Sequence, residues 1–264
     1  MLGQGSAKIL FALAVFAGLI FSPGGHAQIK GELPDTLPEI SSRADSCALL
    51  KQGQYAALDK KANDLQQDYE AGRMTDLSLL HDFRSFCPEM YKLEEKYDAW
   101  ISAYPQSYSA RLAYGVYLSD LAYYWKGHDD GNTLSPAQAE TVKSYADRAM
   151  QELTLSIALT GRPVISFYAI MGISALSADN RTAAQTLDAA DKVDPKNFVV
   201  RYKYMATTLT TRSGGSLEQM VGFRDDAQKA GVPEQQLRYF DDLIADERAW
   251  VAYCQCGAAS NIAR

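Results

Sequence analysis

Residues 162–231 constrain the fold of this chain more than any other stretch. Apolar residues recur there at steps of three and four, which is the pattern of helices with one buried face. Consecutive helices of this kind pack as antiparallel hairpins, because each must bury its apolar face against a neighbour. Short polar or glycine breaks separate the helices, at Asp179-Asn180, Asp194-Pro195 and Gly214-Gly215.

Small residues within one pair of helices favour a tetratricopeptide-like packing. Gly172 on the first helix is expected to permit close approach, and Ala183 and Ala190 flank a bulky leucine on the second. Pro163 and Pro195 are 32 residues apart, close to the period of about 34 residues in that repeat. The sequence therefore predicts an all-α fold, with tetratricopeptide-like antiparallel helical hairpins stacked into a short solenoid.

Several helix starts carry a capping signal, in which a short polar side chain accepts a hydrogen bond from the first turn. Glutamine three residues after a serine can close the reciprocal bond of a capping box. The predicted caps are Ser107, Ser135 with Gln138, Asn180, and Ser216 with Gln219.

The first 27 residues have the three-part pattern of a secretory signal peptide. Lys8 precedes a 13-residue apolar run at 9–21, and small residues form a cleavage site after Ala27. A membrane-spanning helix needs about 20 apolar residues, so we predict cleavage and a periplasmic or secreted protein. The predicted organisation is a signal peptide (1–27), a flexible lead-in (28–42), a single helical-repeat domain (43–253) and a C-terminal tail (254–264).

Charge and motif content narrow the function classes. The net charge is −6, and it becomes more negative when the predicted signal peptide leaves with Lys8. A negative chain without a basic run argues against nucleic acid or anionic lipid as the main partner. Zinc-helix, nucleophile-elbow and phosphate-loop motifs are missing from the sequence, and Asp129, Asp130 and Asn132 do not have the spacing of an EF-hand. We expect a non-catalytic protein without a cofactor or metal.

Four cysteines would meet an oxidising compartment after export, and four cysteines allow three pairings. Cys47 and Cys87 lie on neighbouring predicted helices, so we expect them to form a disulfide. Cys254 and Cys256 could close a tight loop, pair with another chain or stay reduced.

Four short segments resemble one bacterial family, the domain of unknown function 4034: residues 124–127, 190–195, 204–209 and 212–216. The resemblance covers roughly residues 65–231. In that family a tyrosine-rich helix ends in Pro-Arg-Trp-Gly-Gly-Ser ahead of a helix that contains methionine. The resemblance implies a helical repeat fold and carries no settled biochemical role. Arg212, Gly214, Gly215, Ser216 and Met220 match the pattern, whereas Lys126, Thr211 and Ser213 replace its arginine, proline and tryptophan.

The first functional hypothesis is a protein- or peptide-binding module that uses the concave face of the solenoid. Tyrosine and arginine are the usual anchors of interfaces, and the central predicted helix of residues 198–211 carries several. The predicted partner-binding residues are Arg201, Tyr202, Tyr204 and Arg212.

The second hypothesis is an enzyme of unrecognised type, or a small-anion binder, at the turn of residues 212–216. The amides of Gly214, Gly215 and Ser216 would form an anion nest at a helix N-terminus, beside Arg212. A glycine turn followed by an N-cap explains the same residues without a ligand. Both interpretations stay open at this stage.

Overall fold

The computed structural model describes residues 41–84, 87, 92–127 and 134–262, and the side chains of residues 45–254 within those ranges. The predicted signal peptide, nearly all of the predicted lead-in, and Asp129, Asp130 and Asn132 lie outside the described residues. Every secondary-structure element in the described ranges is helical. The all-α prediction is therefore confirmed.

Eleven α-helices run through the described residues. They are α1 (Ser41–Gln52), α2 (Tyr55–Glu70), α3 (Asp76–Phe83), α4 (Glu94–Ala103), α5 (Tyr108–Lys126), α6 (Pro136–Ile157), α7 (Val164–Leu176), α8 (Asn180–Val193), α9 (Phe198–Tyr204), α10 (Leu217–Ala230) and α11 (Glu234–Ile262). Helix α9 continues into a π-helical turn, Met205–Leu209, and a 3-10 turn, Thr211–Ser213.

The hairpins stack as the sequence predicts. Helix α5 packs on α6, α7 packs on α8, and the π-helical turn after α9 packs on α10. The first helices of successive hairpins, α5, α7 and α9, also contact one another in order. The second helix of each hairpin contacts the next unit, α6 against α7, α8 against α9, and α10 against α11. This is the nearest-neighbour packing of a short solenoid.

Local capping chemistry starts several of these helices. The Ser107 hydroxyl accepts from the Ala110 amide at 3.1 Å, and Ser216 accepts from Gln219 at 3.2 Å. At Ser135 the capping box is complete, since its own amide donates to Gln138 Oε1 at 3.1 Å. The predicted cap at Asn180 is wrong by one residue. Asp179 caps α8 instead, and its carboxylate accepts from the Thr182 amide at 3.0 Å.

Close packing of α5 on α6 depends on Gly115. A Cβ atom there would lie 2.6 Å from Leu153 Cγ, so only glycine fits without a shift of the buried leucine. The sequence predicted a close approach at Gly172, in the hairpin of α7 and α8. A Cβ at Gly172 would meet its nearest neighbour, Lys203 Cε, at the ordinary distance of 3.6 Å, so no close approach depends on that glycine.

Helix α3 lies across the stack and contacts α5, α7 and α9. Seven of its eight residues are buried. Asp76, at its first position, accepts hydrogen bonds from the backbone amides of Phe198 (2.6 Å) and Val199 (3.0 Å) at the start of α9. The N-terminal helices therefore cover the side of the stack formed by the first helices of the hairpins.

A disulfide joins Cys47 of α1 to Cys87, which follows α3, with a Cα–Cα distance of 5.0 Å. The predicted pairing is confirmed. The bond closes a segment of 40 residues that contains α2 and α3. Such a closure restricts the unfolded chain, so the disulfide holds α1 and the α3 end together.

The last helix differs from its predicted end. Helix α11 was expected to stop near Tyr253, ahead of a C-terminal tail, but it continues to Ile262. No proline follows Pro233 in the sequence to break this helix. Cys254 is exposed and free. The side chain of Cys256 lies outside the described residues, so the three alternatives for these two cysteines stay predictions.

Candidate functional site: a polar groove along helix α2

Two of the predicted partner-binding residues are buried. Arg201 and Tyr202 are only 7% and 5% exposed. The Arg201 guanidinium pairs with the Asp191 carboxylate at 2.8 Å and lies over the Phe223 ring. Tyr202 packs on the rings of Phe198 and Phe240. Neither side chain can serve as a surface anchor here, and this part of the predicted site is corrected.

Neighbouring helices explain this burial. Helix α9 contacts α3, α7, α8 and α11, so little of its surface is open to a partner. Tyr204 is half-buried against Phe223, with ring centroids 5.4 Å apart. Helix α9, which the sequence assigned to a ligand, is partly covered by the chain's own α3.

Two of the three amides of the predicted anion nest are already paired within the turn. The Gly214 amide donates to the Thr211 carbonyl at 3.2 Å, and the Gly215 amide donates to the Thr210 carbonyl at 2.9 Å. Amides that are already paired within the turn are not available to an anion. The glycines serve the backbone, since Gly214 has a φ of +87° and a side chain at position 215 would overlap the Leu209 carbonyl.

Arg212 is also engaged. Its guanidinium lies over the Trp250 ring, 4.9 Å from the centroid, and 3.9 Å from Glu247 Oε2. Glu247 is fully buried, and its other oxygen accepts from the Thr211 amide at 2.8 Å. An anion at this turn would meet a buried carboxylate, so the anion-binding prediction loses its geometric basis. The Arg212 side chain therefore faces α11.

A larger open site lies elsewhere, along α2. A groove of about 730 Å³ opens between α2, the loop from α4 to α5, and the turn from α6 to α7. We name this the α2 groove. Its lining residues are Asp59, Asn63, Gln66, Gln67, Glu70, Ala103, Tyr104, Pro105, Gln106, Ser107, Tyr108, Leu159, Thr160 and Gly161.

One face of α2 supplies a polar stripe to the groove. Asp59, Asn63, Gln66 and Glu70 follow one another at steps of four, three and four residues, which places them on one side of a helix. Such a stripe normally faces solvent, but here two distant segments, residues 103–108 and 159–161, pack around it. The groove is therefore walled by amide and carboxylate groups.

The Asp59 end of the stripe is fixed by hydrogen bonds. The indole of buried Trp100 donates to Asp59 Oδ1 at 3.0 Å, and Asn63 Nδ2 donates to Asp59 Oδ2 at 3.0 Å. Asn63 also donates to the Ser107 hydroxyl at 3.2 Å and accepts from the Ser109 hydroxyl at 2.8 Å. Since these bonds join α2, α4 and α5, this wall is held in one arrangement.

Gln66 joins α2 to the turn between α6 and α7 through its side-chain amide. Its Nε2 lies 3.2 Å from Glu70 Oε1, 3.1 Å from the Thr160 hydroxyl and 3.1 Å from the Arg162 carbonyl. Three acceptors around that end identify it as the nitrogen. The other end, Oε1, is buried and accepts no hydrogen bond from the described part of the chain, although Gln66 is only 4% exposed. This oxygen is enclosed by the protein, so it is not one of the acceptors that the groove offers to a ligand.

Glu70 makes the groove negative at neutral pH. Burial on its own would raise the pKa of this carboxyl, but hydrogen bonds from Thr160, Gln66 and the Arg162 amide lower the pKa below its ordinary value. The lining contains two acidic residues, Asp59 and Glu70, and no lysine or arginine. The α2 groove therefore presents negative charge and hydrogen-bond acceptors together.

Comparison with known protein families identifies the family of the segment that contains the α2 groove. The model of the family described as a domain of unknown function (DUF4034) matches residues 42–191, more than half of the chain. The chain belongs to this family. All residues that line the α2 groove fall inside the matched DUF4034 segment, whereas the turn at residues 212–216 lies after it. No curated protein and no solved structure matches the chain significantly.

Two further absences hold for the part of the chain that the structure describes. No group of three His, Cys, Asp or Glu side chains is placed to hold a metal ion there. No helix in the described ranges is both long enough and apolar enough to cross a membrane.

Sequence reasoning missed the α2 groove. The available signal was the spacing of Asp59, Asn63, Gln66 and Glu70, four polar residues of hydrogen-bonding type on one helix face. On its own that spacing is typical of a solvated face. The segments that turn it into a groove come from residues 103–108 and 159–161, and their approach is a property of the tertiary fold.

Proposed function

We propose that this protein is a non-catalytic protein- or peptide-binding module that takes its ligand in the α2 groove, in the periplasm or outside the cell. The single observation that carries the proposal is the open groove of about 730 Å³, one wall of which is fixed by the hydrogen bonds from Trp100 and Asn63 to Asp59. Ligand sites are concave and hold a few fixed polar groups, and the α2 groove has both properties.

The cellular location rests on two observations. The Cys47–Cys87 disulfide is typical of proteins that fold in an oxidising compartment. The sequence pattern of residues 1–27 predicts export. Together they support secretion through a cleaved signal peptide, which N-terminal sequencing of the exported protein tests directly.

Peptide capture tests the binding role. The mature protein, residues 28–264 with its disulfide formed, would be titrated with fluorescent random peptides of about six residues and followed by anisotropy. Gln106 is exposed in the groove lining, so Gln106→Trp fills the groove without disturbing a buried contact. Gln52→Trp, at an exposed position outside the lining, is the matched control.

The proposal predicts saturable binding that is lost in Gln106→Trp and kept in Gln52→Trp, with equal melting temperatures for the three proteins. Binding that survives in Gln106→Trp would contradict the groove as the site. Failure of every peptide to bind the folded wild-type protein would contradict the peptide-binding role.

A further inference from the structure

The charge of the α2 groove is not neutralised by the protein itself. Among the described residues, neither Asp59 nor Glu70 forms an ion pair with a lysine or arginine. Arg162 is close to Glu70 but meets it through its backbone amide, at 3.3 Å, while its guanidinium pairs with Asp194. The groove thus keeps its negative charge in the folded protein.

Hydrogen-bonding capacity points in the same direction. Glu70 is exposed at the end of the stripe, and hydrogen bonds from Gln66, Thr160 and the Arg162 amide reach its Oε1 atom. A backbone hydrogen bond from Gly161 also reaches this carboxyl group. None of these donors carries a positive charge, so a ligand that complements Glu70 offers both donors and a positive charge, which describes an ammonium or a guanidinium. An anionic group beside Glu70 would meet a carboxylate and is disfavoured.

The length of the groove matches a chain more closely than a single small molecule. Asp59 and Glu70 are 11 residues apart on one helix, which corresponds to about 16 Å at 1.5 Å per residue. An extended peptide rises about 3.3 Å per residue, so about five residues would span the polar stripe.

We propose that the α2 groove selects an extended peptide through a lysine or arginine side chain, whose cationic head is held by Glu70. This inference rests on the proposed peptide-binding function and specifies its ligand chemistry. Asp59 supplies a second negative charge at the far end of the stripe, so a segment with two basic residues about five positions apart fits best.

The test compares four fluorescent peptide libraries of about six residues, each with one fixed central residue: lysine, arginine, glutamine or glutamate. Binding to the oxidised mature protein is measured by anisotropy at low and high salt. The lysine and arginine libraries are expected to bind about tenfold more tightly than the glutamine library, and the glutamate library most weakly, because a charge-assisted bond is stronger than a neutral one. The preference is expected to shrink at high salt.

Three variants locate the effect. Glu70→Gln keeps an acceptor for Thr160 and Gln66 but removes the charge, and it is expected to abolish most of the tenfold preference. Gln67→Glu adds a carboxylate at an exposed lining position and is expected to increase the preference. Asp64→Asn, on the same helix but outside the lining and paired with Lys60, is expected to change nothing.

The outcomes distinguish a failure of the cationic preference from a failure of the proposed peptide-binding function. If the glutamine library binds as tightly as the lysine library, the cationic preference is wrong and the peptide-binding function stands. If no library binds, both are wrong. If n-butylamine alone displaces the lysine library at the concentration at which the peptides themselves compete, the site takes a small amine and the peptide part of the inference is overturned.

Discussion

Asp76 is the side chain whose removal should harm the fold most clearly. It is 7% exposed, at the start of α3. Its Oδ2 accepts from the amides of Phe198 and Val199, and its Oδ1 accepts from Leu77 (2.8 Å) and from Gln236 Nε2 (3.3 Å). One carboxylate therefore supplies acceptors to α3, α9 and α11 together.

The size of the expected stability loss follows from the hydrogen-bond donors that Asp76→Ala leaves without an acceptor. Asp76→Ala leaves two backbone amides at the buried start of α9 without an acceptor, and each such loss costs about 1–3 kcal/mol. The relief of burying one fewer charge offsets part of this cost, since burial disfavours the ionised form of Asp76. We expect a net loss of about 3 kcal/mol in the free energy of unfolding, which for a domain of this size lowers Tm by about 6–12 °C.

Thermal and urea unfolding, followed by far-ultraviolet circular dichroism, measure this loss. Asp68→Ala is the matched control, because Asp68 pairs with Arg73 at the exposed end of α2 and exposed pairs contribute about 0–1 kcal/mol. Equal stability of the Asp76 and Asp68 variants would refute the reasoning that α3 anchors α9 through this carboxylate.

Three further predictions concern pH, packing and the disulfide. Burial raises the pKa of Asp76 above its ordinary 3.8, against the opposing hydrogen bonds from Val199 and Phe198. The folded protein then holds this proton more tightly than the unfolded chain does. The contribution of Asp76 to the free energy of unfolding therefore falls as pH rises above its ordinary pKa and through its raised pKa in the folded protein. The stability difference between wild type and the non-titrating Asp76→Asn, from urea titrations, should be more favourable to wild type near pH 4 than near pH 7; a difference independent of pH would contradict this. Gly115→Ala should destabilise by about 1–3 kcal/mol through overlap with Leu153, whereas Gly172→Ala should be neutral or slightly stabilising; similar melting temperatures for the two variants would argue against close packing at Gly115. The double variant Cys47→Ser/Cys87→Ser should lose about 4 kcal/mol, the value expected for a closed loop of 40 residues; a melting temperature that is unchanged, in the variant or after reduction of the wild type, would contradict this.

Features set by neighbouring residues could be predicted from the sequence. The caps at Ser107, Ser135 and Ser216 depend on side chains within three residues, and all three form. The cap of α8 was misplaced because Asp179 and Asn180 are both good capping residues. The stacked hairpins followed from the apolar pattern, since amphipathic helices with short connections have few other ways to pack.

Features that depend on distant segments could not be predicted from the sequence. The hydrogen bond that the Phe198 amide donates to Asp76 joins residues 122 positions apart. No periodic pattern in the sequence predicts it. Arg201 and Tyr202 resemble interface anchors by residue type, yet α9 is enclosed by four helices, so Arg201 pairs inside the domain with Asp191. The α2 groove could not be predicted from the sequence for the same reason, because its opposite walls come from two loops far along the chain.

The most direct test of the account is to map where a ligand contacts the protein. Backbone amide NMR shifts would be recorded on the oxidised mature protein during titration with a lysine-containing peptide from the binding library. The account predicts the largest shifts at α2 residues 59–70, at residues 103–108 and at residues 159–161, which line the groove. Shifts centred on residues 201–216, with the α2 residues unchanged, would contradict it.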